Sequence, residues 1–430
     1  MSKKYTKTTN RSRRKSPPML RGQVLGMDGQ SIQLSLPIAE LLGGLVDQIE
    51  RLSADAGLLI MRALIDDEVE QTVGQRHQRQ SERRAYRWGQ EEGHVVYAGR
   101  KVPWQRPRVR SVTGGEVPLQ RYALFQADGR MQRAVQPRVV AGVAMRAYGQ
   151  AIDAVCDGYG VERSSVSRHW KVASAEQLRQ FMERPLGELD LVALLIDGID
   201  FRGHLLVVAL GIDVVGRKHV LGLWPGATEN AAVCKALLAD LVQRGLATER
   251  RYLAVIDGSK ALAKAVRATF GEQAEIQRCQ VHKERNVLEH LPPEHQGRVR
   301  QRLRAAWKLR AYGDAQAALE RVVAELEALS PSAAASLREG QEETLTVHRL
   351  AVPPSLRSTL RSTNPIESCF ATTRKHCRNV KRWRSQEMVQ RWVGTMLLEV
   401  ERHFNRVRGH REMPFLVAAL RGVKAAEVAA

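Results

Sequence analysis

Two uninterrupted apolar runs, each ending in aspartate and glycine, constrain this chain more than any other feature. Leu191–Ile196 runs into Asp197-Gly198, and Leu253–Ile256 runs into Asp257-Gly258. A carboxylate closing a buried strand is costly unless something positive pairs with it. Two of them point to a shared site at one edge of a sheet. Divalent cations are the natural partner, because hard cations take oxygen ligands. Glu367, in Asn364-Pro365-Ile366-Glu367-Ser368, is a third candidate. For a single Asp-Gly after an apolar run, a turn or a helix cap is an equally good reading. Two in succession, with a downstream glutamate, favour the metal site. Asp200 is an alternative ligand and Asp213 a weaker one.

The pattern around these runs sets the fold class. Leu189–Asp197, His204–Gly211 and Lys218–Trp224 read as three strands of an antiparallel meander. Glu229–Arg244 reads as a helix capped by Thr228. Arg251–Asp257 is a strand and Ser259–Phe270 a helix. Glu275–Val281 is a fifth strand, followed by a helix over His282–His290. This order, β-β-β-α-β-α-β, is that of an RNase H-like domain within a mixed α+β chain. In that topology the first and fourth strands are neighbours, so Asp197 and Asp257 lie side by side.

The remaining segments are assigned around this core. Residues 1–35 read as a basic, unstructured arm, either lying along phosphates or simply solvated. Residues 36–128 form a largely helical region, with apolar periodicity from Leu41 to Val69. Short strands are expected there at His94–Tyr97 and Lys101–Val109, the second weakened by Pro103 and Pro107. Residues 129–185 carry a helix-turn-helix outline: helical sequence over Val139–Cys156, a turn at Asp157-Gly158-Tyr159-Gly160, and a helix opening at Ser164-Ser165. The first part of the catalytic core spans 186–294. An all-helical insertion follows over 295–352, and the second part of the core, with Glu367, over 353–410. Residues 411–430 read as a C-terminal tail.

Charge identifies the partner. The 430 residues hold 67 Lys+Arg against 46 Asp+Glu, a net +21, which favours a polyanion such as double-stranded DNA. Ser164, Ser165 and Arg168 open the second helix of the helix-turn-helix, where recognition helices meet DNA. The densest basic run is Arg374, Lys375, His376, Arg378, Lys381, Arg382 and Arg384. Trp383 lies within it, placed to stack on a base if the run is a helix beside the carboxylates. Arg298, Arg300, Arg302, Arg304, Lys308 and Arg310 offer a second, weaker basic surface. The five cysteines are few and scattered, as in a reducing compartment. No CxxC pair signals zinc. Cys279 and His282 read by default as a buried thiol and a helix cap. The apolar runs fall short of the ~20 residues of a membrane span, and no apolar segment follows the basic N-terminus. A cytoplasmic, nucleoid-associated protein is expected.

The motifs together resemble the Mutator-type transposases of bacterial insertion sequences, which belong to the DDE class. The resemblance rests on Leu195-Ile196-Asp197-Gly198, Val255-Ile256-Asp257-Gly258-Ser259-Lys260, Arg278-Cys279-Gln280-Val281-His282-Lys283 and Asn364-Pro365-Ile366-Glu367-Ser368. Leu58–Gly74 followed by Arg83-Arg84-Ala85-Tyr86-Arg87 adds to it. It implies Asp197, Asp257 and Glu367 as catalytic metal ligands for two Mg²⁺ ions, with Mn²⁺ able to substitute. It also implies a supporting role for Cys279 and His282. The implied activity is binding of terminal inverted repeats, cleavage, and transfer of 3′-hydroxyl ends to target DNA, by a homodimer or higher oligomer. Two alternatives are a non-catalytic helix-turn-helix regulator and an RNase H-like nuclease that only hydrolyses.

Overall fold

The computed structural model describes residues 19–25, 31–37, 49–76, 83–152, 159, 161–226 and 230–423. It divides into two compact units. The first holds residues up to Val139 and Val143–Val172; the second holds Val140–Gly142 and everything from Ala173.

The first unit begins where an unstructured arm is expected, but two strands are found. β1 (Met19–Leu25) and β2 (Ser31–Pro37) pair antiparallel from Met19↔Pro37 to Leu25↔Ser31. The alternation of Ile32, Leu34 and Leu36 with polar residues is the period-2 signal that the basic composition hid. Residues 1–18 lie outside the described residues.

The long helix α1 (Ile49–Val73) packs Met61, Ile65, Val69 and Val73 against a three-stranded sheet. That sheet comprises β3 (Ala85–Tyr97), β4 (Arg100–Ser111) and β5 (Glu116–Val117). Both long strands exceed the short pieces expected from sequence. The β3–β4 turn is Ala98-Gly99, both with positive φ, as a two-residue hairpin loop requires. The overlooked half of β3, Ala85–Gly93, lacks apolar alternation and carries a register shift between Arg87 and Gln90. Cross-strand pairs such as Arg106–Glu91 at 2.8 Å accompany it instead. Pro103 and Pro107 are tolerated because β5 pairs with β4 only at Val109 and Arg110, leaving the rest of that edge open. The unit continues with α2 (Gln120–Gln126), α3 (Asp128–Val140), α4 (Tyr148–Ile152) and, up to Val172, the first half of α5 (Arg163–Glu183). Helix α5 opens at Ser164-Ser165 as expected. Of the expected turn before it, only Tyr159 is among the described residues.

The second unit is built on a five-stranded mixed sheet. Its strands are β6 (Leu191–Phe201), β7 (His204–Asp213), β8 (Lys218–Gly226), β9 (Tyr252–Ile256) and β10 (Ala274–Arg278). Their spatial order is β10-β9-β6-β7-β8, with β6, β9 and β10 mutually parallel and the meander antiparallel. Helices α6 (Ala231–Gln243) and α7 (Lys260–Phe270) follow β8 and β9, so the element order is the one read from the sequence. The cap of α6 is Asn230, whose side chain accepts from Ala232 N and Val233 N; Thr228 lies outside the described residues. One face of the sheet, through Leu194, Ile196, Val207 and Ala209, meets Leu237, Leu238, Leu241, Leu262 and Val266 of these helices.

Helices α8 (Gln280–Glu289), α9 (Pro293–Lys308), α10 (Tyr312–Leu329) and α11 (Pro331–Arg338) build a separate apolar core. The fifth strand ends at Arg278 rather than Val281, because Cys279 starts α8. After the short α12 (Thr346–Arg349) and α13 (Pro354–Leu360), the chain returns to the sheet. Helices α14 (Asn364–His376) and α15 (Gln386–Arg402) pack on β6, β7 and β8. At Gly394 of α15 an added Cβ would lie 3.2 Å from Leu223, while one at Gly222 would lie 3.2 Å from Leu241 of α6. The sheet is therefore covered on both faces, which suits its continuous apolar strands. The expected C-terminal tail is instead helical over α16 (Met413–Arg421), with Met413, Leu416, Val417 and Leu420 buried. Its apolar residues recur at helical spacing, and burying that stripe stabilises the helix.

Candidate active site

Strand β6 pairs with β9 up to Ile196↔Ile256. The next residue on each strand is an aspartate, so the parallel register alone brings Asp197 and Asp257 side by side. The expectation that Asp197 ends its strand needs correcting. β6 runs on to Phe201, paired with β7 alone, and turns through Arg202-Gly203, both with positive φ. Asp197 thus stands where the parallel neighbour stops, and that opening lets its carboxyl face the Asp257 side.

Glu367 arrives from the other end of the unit, on the first turn of α14, and α14 packs on β6. Pro365 at the start of the helix has no N–H to leave unsatisfied. Thr363 precedes the helix, but its hydroxyl does not cap the backbone. It donates to Glu367 Oε1 at 2.6 Å.

Each aspartate also accepts a backbone N–H: Asp197 Oδ1 from Gly198 at 2.8 Å, and Asp257 Oδ1 from Ser259 at 2.8 Å. Ser259 in turn caps α7. Gly258 has no room for a side chain, since an added Cβ would lie 2.7 Å from Arg278 Nη2. Arg278 is buried and donates to Gly258 O at 3.2 Å and to Glu339 O at 2.9 Å. It thereby ties the Asp257 turn to the helical insertion.

Burial pushes the Asp197 carboxyl up to about 7, and the neighbouring Asp257 and Glu367 charges add to the rise. Among the described residues, neither Asp197 nor Asp257 forms an ion pair with lysine or arginine. A half-buried carboxylate pair without a lysine or arginine partner is a donor set that a hard divalent ion would relieve.

Cys279 and His282 sit beside Glu367. His282 Nε2 is 3.8 Å from Glu367 Oε1. The Cys279 sulfur is fully buried and accepts from Thr363 N at 3.4 Å, with Thr363 Oγ1 also 3.4 Å away. Burial alone would push the thiol up, but hydrogen bonds from His282 and Thr363 hold it below its usual value. The His282 ring is raised by its hydrogen bond to Cys279 and by the nearby Glu367 and Asp197 charges. His282 is not a helix cap; Cys279 occupies that position on α8.

Other expected residues are redistributed. Asp200 accepts from Gly203 N, and Asp213 accepts from Val215 N and Arg217 N, so both serve turns. Arg374 and Lys375 are exposed on the last turn of α14. Arg378, Lys381, Arg382 and Arg384 are exposed too, but they follow the helix rather than extend it. Arg202 donates to Lys381 O at 3.0 Å, which holds this segment at the β6–β7 turn. Trp383 is not free to stack on a base: its ring packs on Phe201 at 5.1 Å and Trp392 at 6.4 Å. On α9, Arg298 and Arg302 share Glu325, and Arg300 and Arg304 share Glu284, so two carboxylates offset only part of that surface's charge. In the first unit Ser164 and Arg168 are exposed near the start of α5, and Ser165 is half-buried. Among the described residues no helix is long and apolar enough to cross a membrane. Thr363 was missed by sequence reasoning, and Arg278 and Lys283 were read only as parts of a motif, with no role of their own. Lys283 is fully buried, donating to Ser336 O at 2.6 Å and Glu339 O at 2.5 Å.

The mixed sheet thus displays paired aspartates, with a glutamate returned to it by a later helix. Residues 39–407 match the family described as "Transposase, Mutator family". The chain belongs to that family. It is 32% identical over 226 residues to the transposase for insertion sequence element IS6120 of Mycolicibacterium smegmatis, covering 50% of this chain and 67% of that protein. It is 28% identical over 363 residues to the transposase for ISRM5 of Rhizobium meliloti, covering 82% and 88%. The transposase for IS256 in transposon Tn4001 of Staphylococcus aureus is 23% identical over 308 residues, covering 68% and 75%.

Proposed function

We propose that this protein is an insertion-sequence transposase of the DDE type, acting from an RNase H-like domain on the terminal inverted repeats of its element. The observation carrying the reading is the register at Ile196↔Ile256, which sets Asp197 beside Asp257 on a sheet that also receives Glu367. Asp197, Asp257 and Glu367 would together hold the cations, whose hard charge suits their carboxylate oxygens. Two Mg²⁺ ions there, or Mn²⁺ in their place, would neutralise the scissile phosphate and lower the pKa of the attacking oxygen.

The chain's own residues do the rest. Thr363 fixes the Glu367 carboxylate. Arg278 fixes the Asp257 turn. Arg374, Lys375, Arg378, Lys381, Arg382 and Arg384 receive backbone phosphates. Ser164, Ser165 and Arg168, on the second helix of a helix-turn-helix, read the end sequence. Water cuts at the element end, and the freed 3′-hydroxyl then attacks target DNA, with paired ends held by a dimer or larger assembly.

The test is strand cleavage and joining on a duplex carrying the DNA that flanks the gene, in Mg²⁺ and in EDTA, with wild type and Asp257→Asn. Metal-dependent joining lost in the variant supports the reading. Cutting without joining would replace it with a hydrolytic nuclease, and binding without cutting with a regulator.

A further inference from the structure

Three side chains in the second unit lie close enough to share one metal ion. The ligand atoms of Cys279, His282 and Glu367 all lie within 4.8 Å of one another. The geometry points to a second kind of metal site here: Cys279 Sγ, a ring nitrogen of His282 and a Glu367 oxygen form a binding site for a thiophilic divalent cation, of which Zn²⁺ is the type.

A tetrahedral Zn²⁺ with bonds of about 2.0–2.3 Å keeps its ligand atoms roughly 3.3–3.8 Å apart. His282 Nε2 and Glu367 Oε1 are already 3.8 Å apart. The rest of the cluster, within 4.8 Å, needs to contract by about 1–1.5 Å at most, a shift within reach of side-chain rotation about Glu367, whose side chain is 40% exposed. That exposure also provides the entry path, since Cys279 is sealed from solvent.

The donor set is selective. Sulfur and imidazole suit Zn²⁺ and disfavour Mg²⁺, which demands oxygen. Cys279 precedes His282 by three residues at the start of α8, so one helical turn presents both. The support around the ligands also fits. Thr363 N–H already points at the sulfur, the arrangement that steadies a bound thiolate, and Thr363 Oγ1 lies 3.4 Å from His282 Nδ1, leaving Nε2 for the ion. Binding releases the thiol proton to solvent. Asp197 and Asp257 remain outside the set.

Glu367 would then belong to two sites. An ion held with Cys279 removes it from the carboxylate set, so Zn²⁺ would act as an inhibitor of the Mg²⁺-dependent reaction. That consequence rests on the proposed function; the site itself does not.

The site is tested without activity. Co²⁺ added to the metal-free full chain is expected to give one equivalent of tight binding, with a sulfur-to-cobalt charge-transfer band. Zn²⁺ should abolish the band and a large excess of Mg²⁺ should not. X-ray absorption of the Zn²⁺ form should show one sulfur at about 2.3 Å. Cys279→Ser should lose the band, whereas Cys369→Ser keeps it. Thr363→Val should weaken Zn²⁺ binding by roughly 10–100-fold. A wild-type protein with no sulfur in the Zn²⁺ shell overturns the proposal and leaves the cluster as a hydrogen-bond hub around Thr363. So does a band that survives Cys279→Ser. Failure of strand transfer with an intact band would instead count against the proposed function alone.

Discussion

Asp197→Asn should make the metal-free protein more stable, although it removes a residue placed at the heart of the site. The wild-type carboxyl titrates near 7 in the fold, because burial and the neighbouring Asp257 and Glu367 disfavour its charge. Unfolded, it titrates near 3.8. The folded pKa is raised, so this group's stabilising contribution is complete below about pH 4 and is lost as pH rises toward 7. The loss is roughly 1.4 kcal/mol per pH unit and approaches about 4 kcal/mol at pH 8. Partial exposure reduces this to roughly 2–4 kcal/mol. Asparagine carries no charge at any of these pH values. It also keeps an acceptor for the Gly198 N–H that now bonds Asp197 Oδ1. In EDTA at pH 8 the variant should melt roughly 4–7 °C above wild type, and the gap should shrink steadily toward pH 5.5. Mg²⁺ should raise the wild-type melting temperature and close much of the difference. Scanning fluorimetry across pH 5.5–8.5, with and without Mg²⁺, reads all of this. A variant that melts at or below wild type, or a gap independent of pH, would refute the argument that burial and the neighbouring carboxylates outweigh the nearby His282 at Asp197.

Glu367→Gln should abolish strand cleavage while leaving binding to end-sequence DNA within about threefold, as gel shift and cleavage on one substrate would show; near-normal cleavage would remove Glu367 from the ligand set. Replacing Arg378, Lys381 and Arg382 together with alanine should flatten the salt dependence of DNA binding by about one unit of slope per lost phosphate contact, and an unchanged slope would place that segment away from DNA. Gly258→Ala should displace Arg278 from the Asp257 turn and lower the apparent Mg²⁺ affinity without much loss of helix content; an unaltered Mg²⁺ titration would contradict that. Leu416→Ala should cost about 2–4 kcal/mol in urea unfolding, whereas a loss under about 0.5 kcal/mol would mean that α16 does not contribute to the core.

The parts of the fold legible in the sequence were those with strong period. Leu191–Ile196 and Leu253–Ile256 announced buried strands, and α1 announced itself by apolar spacing. Register followed from the order of elements, which brought Asp197 next to Asp257. What failed was charged or irregular. Ala85–Gly93 has no apolar alternation to read. The basic run after Glu367 looked helical by composition, yet α14 ends at His376 and Ser385 starts a new helix by accepting from Met388 N, so Arg378, Lys381, Arg382 and Arg384 stand outside both helices. Trp383 carried no local sign that Phe201 and Trp392 would claim its ring. Thr363 was silent for the same reason: its importance comes from Cys279 and Glu367, which only tertiary structure delivers to it.

The placement of α14 and α15 has a genetic consequence. The helix that brings Glu367 to the sheet and the helix that follows it also cover the sheet's second face. A chain interrupted by a stop codon or frameshift ahead of Asn364 would lose Glu367 and, in the same event, leave the far side of β6, β7 and β8 open to water. Such a product should be cleared by proteolysis rather than persist as a DNA-bound competitor. Decayed copies of this gene truncated in that region are therefore expected to fall silent without interfering with an intact one.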